Sequence, residues 1–214
     1  MPHHRTRSDA TSPGAAEPGG GEAAPRRRRA DARRNVDALI EAAHTVFATS
    51  GVDAPAKEIT DLAGVGVGTL YRHFPHRSDL VKAVVESGID AVADAGPALS
   101  AAHEPAEALT RWIQRFTELL ATKRGLASAL HSGDPAFAEL PDYFLRRLVP
   151  ALAALLDDAV ADSTVRDDIG AEELLHTLIQ LCQPVPGHGP EHNQRVVGVL
   201  VDGLRRPAAS SGGS

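Results

Sequence analysis

Two Glu-x-x-His units, Glu41-Ala42-Ala43-His44 and Glu173-Leu174-Leu175-His176, are the first residues whose types and spacing suggest chemistry. Carboxylate and imidazole ligands at this spacing build the di-metal centres of four-helix bundle enzymes, provided that they point into the bundle. At about 100° per residue, the apolar stripe of Ile40, Ala43 and Phe47 puts Glu41 roughly 120–150° away and His44 about 90° off. The stripe of Leu175, Leu178 and Cys182 leaves Glu173 near the opposite side of its helix and His176 about 140° away. The carboxylates face outward, so neither a metal nor any other cofactor is expected. His188 and His192 flank a Gly-Pro loop, a pair without further ligands. Cys182, the single cysteine, excludes an internal disulfide and a thiolate zinc cluster, and reads as a small interface hydrophobe. No G-x-S-x-G, P-loop or dinucleotide fingerprint is present, and an enzyme is not expected.

A second set of residues suits recognition. Between residues 56 and 74, two short helical segments flank Gly64-Val65-Gly66, a helix-turn-helix pattern. Gly64 supplies the left-handed backbone that a tight interhelical turn needs. Gly66 and Gly68 let the start of the second segment, with Val67, approach a phosphate or base edge unobstructed. Leu70 and Phe74, four apart, anchor that segment inward. Thr69, Arg72 and His73 then project outward with Tyr71 at the edge, and their hydroxyl, guanidinium and imidazole donors suit phosphate oxygens and groove edges.

The elements that must position these residues are all helical. Val36, Leu39, Ile40, Ala43, Val46 and Phe47 recur at helical spacing, and Gly51 is placed to stop that helix. A long helix runs from about Arg77 towards Gly96-Pro97, and Glu104-Pro105 opens another with Leu109, Trp112, Ile113, Phe116, Leu119 and Leu120 on its stripe. Shorter helical stretches cover residues 124–131, 143–161, 172–182 and 193–204. Pro150 removes an N–H within the second of these, which either kinks the helix and opens a cavity or only curves it. No segment alternates with period two over a strand's length, so an all-α fold of about nine helices is expected.

Composition sets the limits. The 214 residues are 43% hydrophobic and 23% charged, the balance of a globular protein of one or two domains. No apolar run approaches the roughly 20 residues of a membrane span, and the N-terminus lacks the apolar core of a secretory signal, so a cytoplasmic location is expected. Residues 1–82 hold 12 Lys+Arg against 10 Asp+Glu, and residues 83–214 hold 10 against 18. A basic excess at one end of an acidic body permits a nucleic-acid contact there only. Residues 33–82 alone are neutral. The run Arg26 to Arg29 either supplies the missing attraction, Arg28 and Arg29 included, by releasing counterions from phosphates, or is a solvated tail. A basic-armed protein acting on RNA or a membrane is the alternative in which this run alone binds.

The wording of the motif is specific. Gly51-Val52-Asp53-Ala54, Glu58-Ile59 and Ala63-Gly64-Val65-Gly66-Val67-Gly68-Thr69-Leu70-Tyr71-Arg72-His73-Phe74-Pro75 closely resemble the DNA-binding domain of TetR/AcrR-type bacterial repressors. Leu39-Ile40-Glu41-Ala42-Ala43, Phe47, Arg77 and Leu80 also fall where that family has them, so the resemblance covers about residues 34–85. The later residues, including Lys123-Arg124-Gly125-Leu126, are similar to the regulatory domain of an actinobacterial branch. Three positions depart from the pattern: Pro55 and His76 stand where a hydroxyl residue is usual, and Thr60 stands where alanine is.

The first 35 residues hold no Val, Ile, Leu, Phe, Tyr or Trp, so a disordered basic arm is expected over residues 1–32. A helix-turn-helix domain (33–82), an effector-binding and dimerisation domain (83–206) and a flexible tail (207–214) are expected after it. The resemblance implies double-stranded DNA with a palindromic operator as partner, with Thr69, Tyr71, His73 and Arg77 at the interface. Trp112, Phe116, His131, Phe137, Tyr143, Phe144 and Leu148 come from segments that surround the family's effector cavity, and suit a small lipophilic effector. A homodimer has separate support. Apolar residues on the last helix, among them Val197, Leu200, Val201 and Leu204, spread beyond the roughly 100° that one core contact requires. Leu178 and Cys182 of the preceding helix would join them at the interface.

Overall fold

Gly51, Gly64 and the prolines Pro55, Pro75 and Pro105 divide much of the chain into segments with apolar stripes, and each such segment becomes a helix. The computed structural model describes the backbone of residues 23–123, 126–130 and 132–206, and their side chains except those of 23–29, 122–123, 127–128 and 190. Among the described residues there are nine α-helices, one 3-10 turn and no strand beyond the isolated bridge Val165–Arg205.

The chain divides into two units, residues 1–34 and 35–214. In the first, helix α1 (Ala23–Ser50) begins, so residues 23–32 are helical where a disordered arm is expected. Alanine and arginine are good helix formers and Pro25 falls in the first turn, where its missing N–H costs nothing. Low apolar content does not oppose a helix of this composition. Arg34 pairs with Asp31 one turn away, both exposed.

In the second unit, α1 continues with Leu39, Ala43, Val46 and Phe47 buried and ends before Gly51 at φ +81°. Helices α2 (Ala56–Ala63) and α3 (Val67–His73) follow and pack on each other. The long α4 (Arg77–Ala102) then packs against α5 (Pro105–Lys123) and α7 (Leu140–Ala161). Between these last two lie α6 (Ala127–Leu130) and the 3-10 turn Pro135–Phe137. Helices α8 (Ala171–Leu181) and α9 (Pro190–Leu204) complete the fold.

Helix α4 does not stop at Pro97. The ring removes the N–H that would bond the Ala93 carbonyl, yet Leu99 beyond it is buried and holds the last turn in the core. Pro150 lies likewise inside a continuous α7. The Trp112 indole N–H donates to the Val92 carbonyl over 2.9 Å, satisfying the one polar atom of a fully buried ring and joining α5 to α4. Buried Asn193 donates its amide to the carbonyls of Leu181 and Gln183, stapling the end of α8 to α9. Among the described residues no helix is long and apolar enough to cross a membrane.

Candidate nucleic-acid interface and ligand cavity

Gly64 takes φ +68°, and the N–H groups of Gly64 and Val65 bond back to Asp61 and Thr60, closing α2. An L-residue there would be strained. Gly66 is extended, and its carbonyl receives the Thr69 N–H at 2.8 Å, which starts α3. Leu70 and Phe74 are buried, as is Ile59 of α2, so α3 is held by its inner face. Val67, Gly68, Tyr71 and Arg72 are exposed; Thr69 and His73 are half-buried on the flank. The candidate DNA contacts Gly66, Val67, Gly68, Thr69, Tyr71, Arg72 and His73 are thus contiguous.

Arg77 is used differently from its expected place beside the DNA backbone. Its Nε and Nη2 donate to the carbonyls of Val52 and Ala54, and its guanidinium lies 5.5 Å from the centre of the Phe47 ring. The side chain fastens the start of α4 to the loop after α1. Arg28 and Arg29 lie where side chains are not described.

The departures from the family pattern find local solutions. Asp79 accepts the His76 N–H at 2.9 Å, capping α4 without a hydroxyl residue. The buried Thr60 hydroxyl donates to the Lys57 carbonyl within its own helix. Pro55 precedes α2 with no side-chain cap.

A cavity of about 410 Å³ lies among the helices that follow the helix-turn-helix, lined by Val85 of α4, Leu120 of α5, Leu130 of α6, Phe137, Leu140, Pro141 and Phe144, and Ile179 of α8. Of the residues expected to line a ligand site, it brings together Phe137 and Phe144. Trp112, Phe116 and Leu148 are packed into the core instead, fully buried. The rings of Trp112 and Phe116 stack 5.7 Å apart at 4°, an arrangement that fills space. Tyr143 turns away towards α4, where its hydroxyl donates to Asp90 at 2.7 Å. His131 lies outside the described residues. Among the described residues every lining side chain is apolar, a feature that Val85, Leu120, Leu140 and Ile179 supply and that sequence periodicity gave no means of assigning.

The expected dimer surface divides. Leu178, Cys182, Val197, Val201 and Leu204 are buried within the chain itself, because α8 and α9 pack on each other and on α7 and α5. What the chain leaves uncovered on α9 is Val199, 74% exposed, with Leu200 half-buried and Gly203 exposed beside it. Glu41, His44, Glu173 and His176 are exposed, and no cluster of three potential metal ligands occurs among the described residues.

Comparison with known proteins follows this division. Residues 39–84 match the family of bacterial regulatory proteins of the tetR type, and residues 104–206 match the domain described as transcriptional regulator SbtR-like, C-terminal. A TetR transcriptional regulator from Streptomyces coelicolor is 33% identical, with 81% of this chain and 99% of that one covered and a TM-score of 0.68. A TetR transcription regulatory protein from Mycobacterium vanbaalenii is 34% identical, with 84% and 99% covered and a TM-score of 0.66. An HTH-type transcriptional regulator of Staphylococcus aureus is 40% identical over 63 residues, 29% of this chain. That match spans about a third of the relative's length, 34%.

Proposed function

Because the chain belongs to the TetR family of bacterial transcriptional regulators, we propose that it is a cytoplasmic, homodimeric repressor that binds palindromic DNA and is released by a small lipophilic effector. The observation that carries this reading is the outer surface of α3. Gly68, Tyr71 and Arg72 stand in solvent around a helix whose Leu70 and Phe74 are locked in the core. A rigid inner face and a free outer face carrying phenol and guanidinium are what insertion into a major groove requires.

Release follows from where the cavity sits. Val85 belongs to α4, whose first residue, Arg77, is fastened to the loop between α1 and α2. An effector that fills the cavity displaces α4 only if it binds one position of that helix better than another. With no polar side chain among the described residues of the lining, the effector is held there by its apolar body, and its polar groups face the open mouth. Val199, Leu200 and Gly203 are the surface on which a second copy packs.

The test is operator binding by surface variants. The full chain selects fragments from random genomic DNA, and Tyr71→Ala and Arg72→Ala are titrated on the selected fragment. Each is expected to lose on the order of 1–3 kcal/mol of binding while melting like the parent. Unchanged affinity in both variants would remove α3 from the interface.

A further inference from the structure

The apolar side chains that this fold leaves in water are concentrated on the candidate reading surface. Leu62, Val67, Tyr71, Val185 and Val199 are the large hydrophobics exposed among the described residues, and three of the five fall within residues 62–71. Val67, the first residue of α3, is 40% exposed, and Tyr71, one turn on and on the same side, is 54% exposed. Gly68 between them carries no side chain, and nothing lies within 4 Å of where one would begin. The leading edge of α3 therefore offers no hydrogen-bonding side chain before Thr69.

That composition restricts what can be read. Guanine is recognised by Arg or Lys at O6 and N7, and adenine by Asn or Gln at N6 and N7. Neither type stands at residues 67 or 68. The feature of a major-groove edge that an isopropyl group distinguishes is the thymine 5-methyl group, which gains from leaving water against another apolar surface. We propose that Val67 is a specificity-determining residue that packs on a thymine 5-methyl group. Tyr71 extends the same apolar contact, and each half-site carries a thymine facing the first residue of α3. The assignment rests on the DNA-binding reading above and deepens it.

Deoxyuridine supplies the test, since it deletes the 5-methyl group and keeps Watson–Crick pairing. The full chain is titrated against its selected fragment and against copies in which each thymine is singly replaced by deoxyuridine. One position in each half-site loses about fourfold in affinity, the worth of one buried methyl group. In Val67→Ala the loss at that position falls below twofold, and in Val67→Ile it persists. Because residue 67 is exposed, both variants are expected to melt like the parent. Indifference to every deoxyuridine overturns the assignment and leaves DNA binding standing, as does undiminished sensitivity at the same position in Val67→Ala. Failure of the chain to select any DNA overturns the DNA-binding reading and this assignment with it.

Discussion

The Tyr143 hydroxyl and the Asp90 carboxylate, 53 residues apart, meet at 2.7 Å, and Arg147 donates to the same carboxylate oxygen at 2.6 Å. Arg147 also donates to Asp94 at 2.8 Å, so two turns of α7 are tied to two turns of α4. The next residue after Tyr143, Phe144, lines the cavity. The cavity wall and the tie to α4 are therefore neighbours on one helix.

The tie has a signature in titration. Burial raises the Tyr143 phenol above its ordinary range, and its hydrogen bond to Asp90 raises it further. In a Tyr71→Phe background Tyr143 is the sole tyrosine, and its phenolate absorbance is expected to rise with a midpoint above 10. A phenol pKa raised by folding stabilises the fold below the unfolded value near 10, and that contribution is lost as pH rises through the folded value. Asp90→Ala is expected to move the midpoint back towards 10. A midpoint that ignores Asp90→Ala would contradict the tie.

Arg77 separates a structural from a DNA-contacting role. Arg77→Ala removes two donors to backbone carbonyls and the contact over Phe47, and is expected to cost roughly 1–3 kcal/mol of stability in thermal melting. Arg77→Lys should not restore it, because an ammonium cannot reproduce the planar fork that meets both carbonyls. Full stability with weakened DNA binding would return Arg77 to the phosphate backbone.

Phe116 and Phe144, whose rings meet at 5.9 Å, are buried to different depths. Phe116→Ala empties a fully buried site stacked on Trp112 and is expected to cost about 3–5 kcal/mol. Phe144 is half-buried on the cavity wall, so Phe144→Ala should cost distinctly less. Denaturant titration of both orders the two costs; equal losses would place Phe144 in the core.

The dimer surface is tested at Val199. Val199→Asp puts a charge where the chain leaves a valine 74% exposed, so the fold should persist while sedimentation reports a monomer. A Val199→Asp variant that remains a dimer would place the interface elsewhere.

The helix-turn-helix was legible because its signals are local. Gly64 sits where its backbone must be left-handed, and Leu70 and Phe74 share a face by spacing alone. The rest depended on partners that periodicity does not identify. Arg77 finds its carbonyls 23 and 25 residues away, and Tyr143 finds Asp90 across the bundle. A stripe shows that Trp112, Phe116 and Leu148 turn inward, without showing whether the space beyond them is filled. On α9 the apolar surface looked like one wide face, whereas Val197, Val201 and Leu204 are covered by the chain itself and Val199 is not.

The central claim, that two copies read DNA through α3, is tested most directly by sequencing fragments that the full chain selects from random genomic DNA. A two-fold dimer imposes two-fold symmetry on its site. The expected result is an inverted repeat whose selection is lost in Tyr71→Ala, with Val199→Asp reducing the site to a weakly bound half. Fragments without a shared inverted repeat, or selection that survives Tyr71→Ala unchanged, would contradict it.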